Sequence, residues 1–352
     1  MPTLHPAHPV LRGSAPALSL DAELAEAALA LVPSDLRDVA GARAANAARH
    51  AAAAPVRDRD GVRSADTTLP GPAGPVPVRV LHPVPAGDQE SDEDSWRAGS
   101  RAGVRGAVLY LHGGAFALGD LDACDTQCAE YAREADVVVV AVDYRLAPEH
   151  PAPAGLEDGV AALRWLHAHA EELGVDPARV AVAGASAGGA LAAGTTLRAR
   201  DEGGLPVAHL LLVQPVLDDR RTTASARGLR GVPVFDADAN AVMWETYLAG
   251  AEADGYVAPA RADLRGLPPT TVHLAEHDPL HDEGRDFAAA LAAEGVRVAT
   301  RTYPGTFHGF DSVVPGAGVS RRARADQAAV LRDEVGQPDR AAAHTPEGEA
   351  DL

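Results

Sequence analysis

The chain has 352 residues, 46% of them hydrophobic and only 4% aromatic, so it can bury one large core or at most two domains, built from Ala, Val and Leu. Its formal net charge is -19, and all 31 basic residues are arginine, with no lysine and no isoleucine present. An acidic surplus of that size argues against a polyanionic partner, so no nucleic acid is expected to bind.

The first twenty residues hold prolines and histidines without a basic start or a sustained apolar run, which reads as no secretory signal and a cytoplasmic protein. Leu20, Leu24, Ala27, Ala28 and Leu31 recur at helical spacing, with Asp21 and Glu23 where a helix start favours acid. A helical N-terminal cap segment is therefore expected within residues 1–55. The proline-rich stretch 70–77 breaks the chain, 76–81 alternates as a strand, and the polar, acid-rich stretch 85–103 reads as a mobile loop.

Six short apolar runs follow, at 107–111, 137–142, 180–183, 210–214, 270–274 and 296–303. Helical patterns separate them at 122–135, 156–173, 188–200 and 282–294, and a last one falls near 320–335. Such alternation predicts an α/β fold over 56–335, a mainly parallel sheet with helices on both faces. No run is long enough to cross a bilayer, so no stable membrane insertion is expected. Between 218 and 268 about fifty residues separate two strands, a gap better read as an inserted helical cap than as a loop, with 239–248 its clearest helix. The tail 336–352 reads as disordered. Cys124 and Cys128, four apart on a predicted helix, suit neither a zinc site nor a relaxed disulfide and read as reduced, partly buried thiols.

The chemistry is concentrated in Gly184-Ala185-Ser186-Ala187-Gly188-Gly189, which joins an apolar strand to an Ala-rich helix. Glycine at both flanks lets the chain turn sharply and present Ser186, as in a nucleophile elbow. A serine hydroxyl is a weak nucleophile at neutral pH, so it needs an imidazole to take its proton and an acid to orient that imidazole. In doubly wound hydrolases these follow in the order serine, acid, histidine, each after a strand. Asp278 follows the run 270–274 and His308 follows 296–303.

Rivals stand near both positions. Glu276 lies closer to its strand than Asp278, while Asp282 and Glu283 are explained as acids of a helix start. His273 sits within a strand as a packing residue, and Pro279 between His277 and His281 breaks any helical metal-binding register. The loop His112-Gly113-Gly114-Ala115-Phe116 follows the run 107–111, and its backbone N–H groups, from Gly113 and Gly114, can join that of Ala187 to hold an oxyanion. His112 reads as a brace for that loop.

With these pieces in place, the chain resembles the hormone-sensitive-lipase-like (family IV) serine esterases, the third group of α/β-hydrolase folds. The resemblance rests on the loop 112–116, on Asp143-Tyr144-Arg145-Leu146-Ala147-Pro148-Glu149-His150-Pro151, on the serine elbow, on Asp278-Pro279-Leu280-His281-Asp282-Glu283-Gly284 and on His308-Gly309-Phe310. It covers roughly 76–335. It implies a serine carboxylesterase acting on small-molecule esters of short to medium acyl chains, with a helical cap, no metal and no cofactor. It also implies Ser186 as nucleophile, Asp278 and His308 as its partners, and Gly113, Gly114 and Ala187 as the oxyanion hole. Relatives pair through the sheet edge near the last strand, which makes a homodimer an expectation here.

Three positions depart from the family pattern: Ala115 replaces a third glycine, Ala185 replaces the acid before the nucleophile, and His281 replaces an arginine. None removes a reacting group, but Ala185 and Ala115 alter the surroundings of the serine and so bear on substrate range. The same machinery could attack an amide, a lactone or a carbonate. A non-catalytic receptor on this fold is the other alternative, and the presence of His308 speaks against it.

Overall fold

The computed structural model describes residues 18–29, 31, 35–53, 61–84 and 104–336. The loop expected at 85–103 and the tail beyond Gly336 lie outside the described residues. The apolar runs become strands of one sheet: β1 (Val62–Gly71), β2 (Gly74–Pro83), β3 (Arg105–Leu111), β4 (Val138–Val142), β5 (Val175–Ala185), β6 (His209–Val213), β7 (Thr270–His277) and β8 (Val298–Phe307). Their order across the sheet is β1-β2-β4-β3-β5-β6-β7-β8. β1 and β2 pair antiparallel, as do β2 and β4, and every other neighbouring pair is parallel.

β1 is the strand that hydrophobic patterning does not reveal. The stretch read as a break at 70–77 holds the turn of the β1–β2 hairpin, with Pro70 paired opposite Pro75. Only Val62 and Leu69 of β1 are buried, because β1 is the outer strand and its other residues stay partly or fully exposed. An edge strand also tolerates a proline that offers no N–H to the ladder.

The central strands are buried on both faces, as parallel strands between helical layers must be. In β3, Leu109 and Leu111 enter one core, whereas Val108 and Tyr110 enter the other. β4 divides likewise, with Val138, Val140 and Val142 opposite Val139 and Ala141. The first face is covered by α4 (Ala154–Ala168), α5 (Ala187–Glu202) and α8 (His281–Ala293), the second by α3 (Leu121–Ala135) and α9 (Gly318–Val335). A mainly parallel sheet with helices on both faces is thus what forms. Cys124 and Cys128 are free thiols on α3, and both are fully buried rather than partly so.

The N-terminal helical segment holds two helices, α1 (Ala22–Ala28) and α2 (Val39–Ala53). Asp21 caps α1 by accepting the Glu23 N–H, and Leu24 packs beside Tyr303, Phe307 and Phe310 at the far edge of the sheet. Between β6 and β7 run α6 (Ala224–Gly228), α7 (Ala237–Leu248) and a single 3₁₀ turn at Pro259–Arg261. Asp236 caps α7 by accepting from the N–H groups of Asp238 and Ala239.

Candidate active site

Strand register places the site before any side chain is considered. Leu111 of β3 pairs with Gly184 of β5, so the residues two further on, Gly113 and Ser186, lie side by side. A Cβ built on Gly113 would stand 3.4 Å from that of Ser186. His277 of β7 pairs with Phe307 of β8, so the next residues, Asp278 and His308, are likewise neighbours. All four project from carboxyl ends of parallel strands, where ligands bind in sheets of this kind.

Ser186 sits between β5 and α5 with φ 55° and ψ -120°, a strained conformation for a residue with a side chain. The elbow leaves no room at its flanks. A Cβ on Gly184 would collide with the Gly188 carbonyl, and one on Gly188 would collide with the carbonyl oxygens of Leu111 and His112. Gly114 has φ 133°, and a Cβ there would run into the Leu118 carbonyl. These contacts hold the loop 112–116 and the elbow in one block. Ala187 is the first residue of α5, so its N–H is one of those a helix start leaves without an intrahelical partner.

His308 Nε2 lies 2.9 Å from Ser186 Oγ, and His308 Nδ1 lies 2.7 Å from Asp278 Oδ2. A carboxylate only accepts, so Nδ1 donates and the neutral ring leaves Nε2 free to accept the serine proton. Asp278 is nearly solvent-free, and its other oxygen, Oδ1, accepts the Leu280 N–H at 2.8 Å. The arrangement can therefore move a proton from the serine hydroxyl to the imidazole while a buried carboxylate holds the ring.

The rival residues have other partners. Glu276 Oε2 accepts from Gly305 N, His273 Nδ1 lies 3.3 Å from the Tyr303 hydroxyl, His277 Nε2 lies 3.2 Å from Ser19 O, and His281 Nδ1 lies 3.1 Å from Asp282 Oδ1. His112 donates from Nδ1 to Gly113 O at 2.8 Å and stacks on Tyr144, whose hydroxyl donates to His112 O. Burial pushes the His112 imidazole below its ordinary range and keeps it neutral, which suits a brace. Arg145 donates to the fully buried carboxylate of Asp158 at 2.9 Å, tying 143–145 to α4.

Several residues at the site escape sequence reasoning. Phe235 lies against His308 with ring centroids 4.9 Å apart, and Phe116 stacks on Tyr247 at 3.6 Å with Trp244 alongside. The segment carrying α7 thus reaches from the base to the oxyanion loop. Glu283, read as a helix-start acid, is buried, and its Oε1 accepts from Leu217 N and Asp218 N. Burial pushes its carboxyl well above the usual range, with the charges of Asp218 and Asp278 adding to the effect. Among the described residues no group of three or more His, Cys, Asp or Glu is arranged to hold a metal ion, and no helix is long and apolar enough to cross a membrane.

A serine, a histidine and a buried carboxylate in sequence order at the carboxyl ends of a mainly parallel sheet define the serine hydrolases of the α/β-hydrolase fold. The chain belongs to this family, in its hormone-sensitive-lipase-like branch: residues 108–312 match the family described as alpha/beta hydrolase fold. Esterase LipI of Mycobacterium tuberculosis is 40% identical over 263 residues, 73% of this chain and 78% of that protein. Carboxylesterase NlhH of the same species is 43% identical over 219 residues, 60% of this chain and 69% of that protein. Among solved structures, a bacterial heroin esterase superposes with a TM-score of 0.83 at 40% identity, covering 91% of this chain and 99% of its own.

Proposed function

We infer that this chain is a serine carboxylesterase that cleaves small esters of short to medium acyl chains through an acyl-enzyme on Ser186. His308 takes the proton from Ser186 as Oγ attacks the carbonyl carbon, and Asp278 stabilises the imidazolium that forms. The negative oxygen of the tetrahedral intermediate is held by the N–H groups of Gly113, Gly114 and Ala187. His308 then protonates the departing alcohol, and a water activated by the same ring releases the acid. The observation that carries the reading is the continuous line from Ser186 Oγ through His308 to Asp278, at 2.9 and 2.7 Å. The names of the relatives, esterase and carboxylesterase, support an ester over an amide or a lactone.

In this reading 218–268 and the N-terminal helices form a cap over a catalytic domain of 56–335. Support comes from Phe235 against His308 and from Tyr247 against Phe116. A homodimer through β8 is part of the proposal, supported by the outer position of that strand in the sheet. The net charge of -19 supports a role without nucleic acid, and two buried thiols in place of a disulfide support a reducing, cytoplasmic setting.

The test is hydrolysis of p-nitrophenyl esters of increasing acyl length by the wild type and by Ser186→Ala. The variant is expected to lose about a millionfold in kcat. Activity retained in Ser186→Ala, or a wild type that cleaves aryl amides or lactones and no ester, would overturn the reading.

A further inference from the structure

His308 is held at Nδ1 by Asp278, but the backbone that carries it is held by something else. The Gly309 N–H donates to Gln214 Oε1 at 2.5 Å. Gln214 Nε2 donates to Asp311 Oδ1 at 3.2 Å, and Asp311 Oδ2 accepts from Gln327 Nε2 at 3.0 Å. Gln327 Oε1 in turn accepts from the Tyr131 hydroxyl at 2.7 Å and from Gln127 Nε2 at 2.8 Å, and Gln127 Oε1 accepts from the Tyr110 hydroxyl at 2.8 Å. Gln214, Asp311, Gln327, Tyr131 and Tyr110 are all buried. The chain of bonds starts beside the base and ends on β3, two residues before His112.

Its polarity follows from its two fixed members. A backbone N–H only donates and a carboxylate only accepts, so Gln214 must turn its oxygen to Gly309 and its nitrogen to Asp311. Gln327 must then turn its nitrogen to Asp311 and its oxygen to α3. No amide in the line can flip without placing two donors or two acceptors face to face, and in a buried site that mismatch is costly. Gln214 also has φ 48°, a conformation a non-glycine residue adopts only where its surroundings demand it. It immediately follows Val213, which pairs with Ala185 of β5 and with His273 of β7, so it stands between the serine strand and the acid strand.

We propose that Gln214 and Asp311 are positioning residues for the general base, fixing the Gly309 amide and with it the His308 ring through a one-way hydrogen-bond line. Neither touches the reacting atoms. The proposal rests on the reading of Ser186 and His308 given above, and it predicts a loss in the chemical step rather than in substrate binding.

The experiment compares wild type, Gln214→Met and Gln214→Glu for p-nitrophenyl acetate hydrolysis and for the rate of Ser186 labelling by a fluorophosphonate. Met fills the space without hydrogen bonds, and Gln214→Met is expected to lose about ten- to a hundredfold in kcat, with KM within about twofold and labelling slowed by a like factor, since small displacements of a catalytic group cost rates of this order. Gln214→Glu keeps the acceptor for Gly309 but sets a carboxylate oxygen against Asp311, so its activity relative to wild type should rise as pH falls and one proton comes to be shared. Should Gln214→Met fail to fold, as judged by its circular dichroism melt, the pH profile of Gln214→Glu decides alone. A Gln214→Met enzyme with wild-type kcat, or a Gln214→Glu profile that superimposes on wild type, overturns the proposal. A wild type that is neither labelled nor active overturns the functional reading instead.

Discussion

The two halves of the site are built by different means. On the β3–β5 side, the oxyanion loop and the serine elbow are joined by backbone close approach: Gly113 against Ser186, Gly188 against Leu111 and His112, Gly114 against Leu118. On the β7–β8 side, Asp278 and His308 are joined and oriented by hydrogen bonds among buried polar groups, with Gln214 and Asp311 behind them. Under the proposed mechanism the first half needs rigidity to hold N–H groups where charge develops. The second, in the same proposal, carries a proton back and forth without letting the ring rotate. A packed backbone block suits the former, and side-chain hydrogen bonds, which can change charge state without changing shape, suit the latter.

Changes to each half should therefore fail in distinguishable ways. Asp278→Asn keeps the size of the side chain but removes the acceptor that sets the His308 tautomer, and kcat for a p-nitrophenyl ester should fall by about ten-thousandfold with the fold intact. A loss under tenfold would show that the carboxylate is dispensable and that the contrast is misplaced. On the other side, Gly114→Ala meets both a φ of 133° and the Leu118 carbonyl, so the loop must shift. The expected cost is about a hundred- to a thousandfold in kcat, the scale of a lost oxyanion donor, with KM much less affected and the pH profile unchanged in shape. A changed profile would mean that the halves are coupled more tightly than their separate construction implies.

The smallest effect concerns stability in acid. His209 on β6 and His273 on β7 are both buried, and burial lowers each imidazole to about 4, against a nearby acid in each case that pulls the other way. A folded value below the unfolded one near 6.5 means that the unfolded chain binds more protons between about pH 6.5 and pH 4, so stability present above that window is lost as pH falls through it. Each group is worth on the order of 3 kcal/mol when the window has been crossed. Thermal midpoints measured by circular dichroism should drop over that range, and His273→Phe should make the drop shallower. An equal drop in that variant would assign acid sensitivity elsewhere.

Legibility divides along the same line. Gly113, Gly114, Gly184 and Gly188 are visible in the sequence because a need for close approach selects one residue type at a fixed local spacing. Ser186, Asp278 and His308 are nameable because each lies within a few residues of the end of an apolar run. Gln214 closes such a run, yet a glutamine carries no signal of its own; only Gly309, ninety-five positions away, makes it informative. Phe235 is hidden for a similar reason, lying just before α7, where no local pattern shows that its ring meets His308. β1 is missed because an outer strand leaves most of its residues partly or fully exposed, so the alternation that marks a strand is faint.

By itself, the sequence determines the alternation of strands and helices, the sharp turns and the three candidate reacting groups, since all of these depend on residues a few positions apart. Only the tertiary structure decides the strand order, the register that puts Ser186 Oγ within 2.9 Å of His308 across 122 positions, and the buried line from Gly309 to Tyr110. Such contacts follow from how strands stack side by side in a sheet, a choice made by the packing of the whole core rather than by any local run of residues.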